Sequence, residues 1–227
     1  IYNSREPVQP VDPDITPEEI ELRTSEQLIA LLKQKEGFRA TAYWDYAQYS
    51  IGYGSACTKD EYPNGITEEQ ADLLLRKMLQ KFETSLDKFL QDSNLTLTDN
   101  QYDALISLTY NIGAGWMKDT RLSKLLQSGN YTNNEIASAI GIWCHVKENG
   151  VTSIHNGLVS RRIAEINVFL YGDYSGSDSG FCWVKFTSDK GSCERDIAFY
   201  EAGSAYNPPF DATSDTEVFL GWYTESG

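Results

Sequence analysis

Glu36, Asp45 and Ser50 fall close together in the stretch Glu36-Gly37-Phe38-Arg39-Ala40-Thr41-Ala42-Tyr43-Trp44-Asp45, followed by Tyr49-Ser50-Ile51-Gly52-Tyr53-Gly54. Two carboxylates held across a groove can flank a scissile glycosidic bond. One must be protonated to donate to the leaving oxygen; the other must be ionised to hold a water or to stabilise positive charge. A hydroxyl beside the second acid can orient that water. Two acids nine residues apart are ordinarily two solvated surface charges, so the elements around them must carry the argument.

Those elements are legible. Thr24 with Gln27 forms a capping-box pattern, Leu28, Ile29, Leu31 and Leu32 follow at helical spacing, and Gly37 closes the segment. Glu36 is therefore expected at the carboxyl end of a helix. Residues 41–66 turn rich in Tyr, Trp and Gly and close on Pro63-Asn64-Gly65, which predicts a small sheet carrying Asp45 and Ser50. Thr67 with Gln70 opens a second helix, to about Asp92, and Thr98 with Gln101 opens a third, to near Gly113. Shorter helices fit Asp119–Gln127 and Asn133–Cys144, and a last one runs from about Leu158 to Tyr171. The pattern is α+β with segregated layers.

The segment EGFRATAYWD…SIGYG resembles the catalytic signature of the phage-type, T4-like lysozymes, the endolysin family of glycoside hydrolase family 24 type. The likeness continues through Asn64-Gly65-Ile66-Thr67, Leu97-Thr98-Asp99-Asn100-Gln101-Tyr102-Asp103-Ala104-Leu105, Tyr110-Asn111-Ile112-Gly113-Ala114-Gly115 and Gly157-Leu158-Val159-Ser160-Arg161-Arg162-Ile163-Ala164-Glu165. It covers about 25–172. It implies a lysozyme-like fold and hydrolysis of the β-1,4 bond between N-acetylmuramic acid and N-acetylglucosamine in peptidoglycan, with inversion. Glu36 would be the general acid, Asp45 the second carboxylate, and Ser50 stands where the family places a Thr. The Asp-to-hydroxyl spacing is also one residue shorter than the family pattern. Tyr53 is expected to line the groove, and Arg161 or Arg162 to pair with Glu36 or to form a surface salt bridge. The rival readings are a non-catalytic wall binder or adhesin on a lysozyme scaffold, which loss of Glu36 or Asp45 would have favoured, and a lytic transglycosylase, which needs only the acid.

Composition narrows the classes. The chain has 227 residues, 41% hydrophobic, with 19 Lys+Arg against 33 Asp+Glu. A net charge of −14 without a basic cluster argues against nucleic acid or an anionic membrane surface as partner. No apolar run approaches the ~20 residues that membrane insertion needs. Acid is concentrated at the ends, so residues 1–24, with Pro7, Pro10, Pro13 and Pro17, read as a Pro-rich tail, and residues 25–172 as the catalytic domain. Cys57, Cys144, Cys182 and Cys193 lack zinc-ligand spacing with His145 or His155. No metal or cofactor is expected. An even cysteine count fits two disulfides, Cys57–Cys144 and Cys182–Cys193, and an oxidising, secreted or cell-surface location. The start at Ile1 reads as a mature form after signal-peptide removal.

Residues 173–180 are Gly-, Ser- and Asp-rich and read as a linker that few contacts cross. Beyond it, FCWVKFT, DIAFYEAG and EVFLGWYT look like strands of a small β-rich module at 181–227. Tyr200-Glu201-Ala202-Gly203-Ser204-Ala205-Tyr206 and Phe219-Leu220-Gly221-Trp222-Tyr223-Thr224 resemble the Listeria–Bacteroides repeat of internalin B-repeat type. That resemblance implies a β-grasp-like unit with a cell-surface or protein partner. Because the catalytic signature is complete before residue 172, residues 181–227 are expected to be dispensable for bond cleavage.

Overall fold

A computed structural model describes residues 16–45, 48–188, 192–205, 208, 211–216 and 219–223. Most of the Pro-rich tail and parts of the C-terminal module lie outside these residues. The order is α1 (Glu26–Glu36), β1 (Arg39–Asp45), β2 (Gln48–Gly52), β3 (Ser55–Cys57), α2 (Glu68–Ser93), α3 (Asp99–Ile112), α4 (Arg121–Ser128), α5 (Asn133–Gly141), β4 (His145–Glu148), β5 (Val151–Ile154), α6 (Asn156–Tyr171), β6 (Phe181–Lys185) and β7 (Ile197–Glu201). A three-stranded antiparallel sheet β1-β2-β3 and a set of helices form the two lobes. None of the described helices is long and apolar enough to cross a membrane.

α2 joins the lobes. Its 26 residues, about 39 Å at 1.5 Å per residue, start at the Thr67–Gln70 capping box and end on Asn94 in the left-handed region (φ 51°). Ala71, Leu75, Met78, Leu79, Leu86 and Phe89 recur on its buried face. The N-terminal part packs against β2 and β3 and the helix also meets α3. Gly65 needs its own freedom: φ is +74°, and a Cβ there would sit 2.7 Å from the Ala40 carbonyl oxygen. That close approach lets the Ile66 amide donate to Ala40 O at 2.8 Å, tying the entry of α2 to β1.

Three details depart from the sequence reading. The cap of α1 is Ser25, whose Oγ accepts from the Leu28 amide; Thr24 instead gives its amide and hydroxyl to Glu83 Oε1 at 2.6 Å each. α5 stops at Gly141, and a hairpin that the sequence reading missed, β4–β5, follows. Its turn is Asn149-Gly150 with φ of 51° and 85°, the dipeptide that favours tight hairpins. Of the three C-terminal strands expected, β6 and β7 form, paired from Phe181↔Glu201 to Lys185↔Ile197. Residues 219–223 carry no regular structure, and Glu217, Val218 and Thr224 lie outside the described residues.

The expectation that few contacts cross the linker does not hold. Residues 173–180 form a strap pinned to the helical lobe. Asn167 Nδ2 donates to the Ser177 and Ser179 carbonyls (3.1 and 2.9 Å), Lys35 Nζ to Gly176 O (3.3 Å), and Tyr174 Oη to Asp103 Oδ2 (2.6 Å). β7 then lies on α5. Phe199 is fully buried in the same continuous core as Leu28, Leu105, Ile140 and Phe169, together with Phe181 and Ile197. The side of β7 away from β6 is covered by α5. Ser138 Oγ donates to Phe199 O (3.1 Å) and accepts from Phe199 N (2.9 Å), and Asn134 Oδ1 accepts from Glu201 N (2.9 Å). Side chains of a helix thus take the place of a neighbouring strand and close an open sheet edge. His145 Nε2 meets Asp196 at 2.9 Å beside the same junction. His145 is half-buried here.

The two disulfides expected are absent: all four cysteines are free thiols. Cys57 and Cys144 are buried, but in different surroundings. Cys57 lies beside Glu61 and Tyr62 in the sheet lobe, and Cys144 beside Arg162 and Asp196 in the helical lobe. Burial pushes both thiols up to about 11. Cys182 is exposed on β6, whereas Cys193 packs against the small cluster of Phe186, Ala198 and Tyr200.

Candidate active site

The chain reverses at Gly37 (φ +69°), whose amide still donates to Lys33 O at 3.0 Å. This C-cap stops α1 one residue after Glu36 and sends the chain straight into β1. Glu36 therefore sits where the helical lobe meets the sheet, its side chain 20% exposed. Arg161 Nη1 donates to Glu36 Oε1 at 2.7 Å across a sequence separation of 125. Of the two adjacent arginines, Arg161 takes Glu36. Arg162, wholly buried, donates to Asn111 Oδ1 (2.8 Å) and Glu165 Oε1 (3.0 Å).

Behind the pair stands a buried network. Glu165 bridges Arg161 (Nε, 3.3 Å) and Arg162 (Nε to Oε2, 2.8 Å), and Ser107 Oγ donates to Glu165 Oε1 at 2.9 Å. Burial draws the Arg162 guanidinium down to about 10, with Glu165 opposing. The Arg-Arg-x-x-Glu spacing puts Glu165 four residues from Arg161 and three from Arg162, one turn along the same helix. The Arg161 fork can span Glu36 and Glu165 together, so the Glu36 carboxyl group is aimed from behind by a charge that is itself held.

Asp45 and Ser50 come from the β1–β2 hairpin. The register pairs Tyr43↔Ser50, Trp44↔Tyr49 and Asp45↔Gln48. Directly paired residues share a face, and faces alternate along each strand. Asp45, Tyr43 and Ser50 therefore lie on one side, and Trp44 with Tyr49 on the other. The latter two meet edge to face at 5.2 Å, leaving Trp44 61% exposed. Ser50 is 1% exposed, and its Oγ has no hydrogen-bond partner among the described residues. An unpaired buried hydroxyl costs about 1–3 kcal/mol.

Tyr53 is not a groove residue. It is 6% exposed, packs on Phe38 at 5.9 Å, and its carbonyl oxygen accepts the Tyr110 hydroxyl. Expected to line the groove, its ring instead lies under Lys33 Nζ at 5.7 Å and near Glu68 and Asp72 of α2. Glu165 and Ser107, which hold the arginines, escaped the sequence reading as functional residues, although the RRxxE spacing carried the signal.

The family model described as phage lysozyme matches residues 33–165, from α1 to the middle of α6. The endolysin of Bacillus phage B103 is 36% identical over 155 residues, 67% of this chain and 56% of that protein; the chain thus spans little more than half of that relative. The endolysin of Acyrthosiphon pisum secondary endosymbiont phage 1 is 35% identical over 150 residues, 65% of this chain and 98% of that protein. Among solved structures, the endolysin from Escherichia coli O157:H7 phage FAHEc1 superposes with a TM-score of 0.58 at 31% identity, covering 68% of this chain and 97% of its own. The muramidase domain of SpmX from Asticaccaulis excentricus does so with 0.56 at 31%, covering 64% and 96%. With the match spanning more than half of its length, from α1 to α6, this chain belongs to the phage lysozyme family.

Proposed function

We propose that the protein is a muramidase, which hydrolyses the β-1,4 bond between N-acetylmuramic acid and N-acetylglucosamine in the peptidoglycan of the bacterial wall, outside the cytoplasm. Residues 25–172 hold the catalytic groups. The observation that carries the reading is the placement of Glu36 at the lobe junction, gripped by Arg161, with Asp45 and Ser50 on a single face of the adjoining hairpin. Glu36 protonates the leaving glycosidic oxygen. Asp45 holds the attacking water on the opposite side of the ring and takes up its proton, and the Ser50 hydroxyl gives that water a second partner. The outcome is inversion, since water rather than a carboxylate attacks the anomeric carbon.

The test uses purified peptidoglycan. Wild type is expected to release reducing ends with no anhydro sugar, and Glu36→Gln to fold normally while losing about 10²–10⁴-fold in rate. Activity of Glu36→Gln within threefold of wild type, or anhydro products from wild type, would overturn the assignment.

A further inference from the structure

A cavity of about 560 Å³ opens between α6 and the strap–β6 segment that lies beyond the family match. Its size falls within the range of small-ligand pockets, about 300–1,000 Å³. The buried side chains of Val159, Ile163 and Phe181 line it. Ser160 and Asp178 add polar groups, and Trp183 is partly exposed on the strand face that also carries Phe181. The surface it exposes is mostly polar, with Trp183 as the exposed aromatic ring, and polar groups around one ring suit a sugar better than a lipid. A sugar CH face or an acetamido methyl group can lie on the Trp183 ring, and the hydroxyls can bond to Ser160 and Asp178.

The cavity is joined to the active site by covalent neighbours. Ser160 precedes Arg161, which grips Glu36. Lys35 precedes Glu36, donates to the strap at Gly176 O, and feels the Asp178 carboxylate. We propose that this cavity is a remote glycan subsite, in which the C-terminal strap and β6 hold an N-acetylated sugar of the same strand that is cleaved at Glu36. The segment after α6 would thus set the preferred length of substrate. The proposal rests on the muramidase reading for the identity of the strand, and its test is read by binding, without turnover.

In a Glu36→Gln background, binding of long peptide-free glycan strands and of a tetrasaccharide from the same polymer is measured by calorimetry. Trp183→Ala and, separately, Ser160→Ala with Asp178→Asn are added. The expected result is a weakening of strand binding by roughly tenfold for Trp183→Ala, with tetrasaccharide binding kept. In the active enzyme, the KM on strands should rise while kcat holds, the mark of lost uniform binding. Unchanged strand affinity in both variants, or equal weakening of strand and tetrasaccharide, would overturn the subsite. If instead wild type releases no reducing ends while the strand-binding difference stands, the muramidase reading fails and the glycan subsite survives.

Discussion

Phe199→Ala is the sharpest test of how the C-terminal segment relates to the catalytic lobe. Phe199 is fully buried, its backbone is clasped by Ser138 Oγ, and its ring lies over Gly141, where a Cβ would sit 2.2 Å from the ring carbons. Truncating a fully buried Phe costs about 3–5 kcal/mol, from lost transfer energy and the cavity left behind. For a domain of this size each kcal/mol moves Tm by about 2–4 °C, so the loss should be roughly 6–20 °C. Far-UV circular dichroism reads mainly the helices, all of which precede β6. A single helical transition that shifts by this amount shows that β7 belongs to the core of α5 and α6. Two independent perturbations should act in the same direction. Ser138→Ala leaves a buried amide and carbonyl unpaired, about 1–3 kcal/mol. Gly141→Ala forces the Phe199 ring aside, about 1–3 kcal/mol. A helical transition unmoved by Phe199→Ala, with a separate early transition appearing, would refute the reasoning and restore an independent module.

Asp45→Ala is expected to slow peptidoglycan release more than Ser50→Ala, since water can stand in for a hydroxyl but not for a base; the reverse order in initial rates would contradict the roles given. Native-state alkylation at pH 8 should label Cys182 first and leave Cys57 and Cys144 unlabelled, and non-reducing peptide mapping should find neither Cys57–Cys144 nor Cys182–Cys193. Because burial raises those two thiols to about 11, the folded state keeps their protons above the ordinary thiol range. Their contribution to stability is present below about pH 8.5 and is lost as pH rises toward 11, which denaturant melts at pH 8 and 10.5 would show. Glu165→Ala takes an ion-pair partner from Arg161 and from the wholly buried Arg162 and should cost about 3–5 kcal/mol in chemical denaturation, with activity falling as well because Arg161 loses its anchor.

Local chemistry alone determined much of this protein. Ser/Thr caps with Gln three residues on, Gly37 after the first helix and the Pro-Asn-Gly turn are signals that act over one or two turns of chain, so α1, α2, α3 and the small sheet stand close to where the residues place them. Glu36, Asp45 and Ser50 were legible for the same reason: each is fixed by a helix end or by hairpin register. What only the tertiary structure decided is everything that depends on distant partners. Thr24 yields its cap to Ser25 because Glu83, 59 residues away, takes its amide and hydroxyl. Tyr53 is buried because Phe38 packs on it, and Arg162 is kept from Glu36 by its own buried partners, Asn111 and Glu165. The Gly/Ser-rich composition of residues 173–180 suggested a free linker, since composition reports the entropy of a chain in isolation. It cannot report the carbonyls that Asn167 and Lys35 capture, nor a Phe199 whose burial site is built by α5. The cysteines show the same limit: an even count says that pairs are available, but only the packing puts Cys57 and Cys144 in separate surroundings.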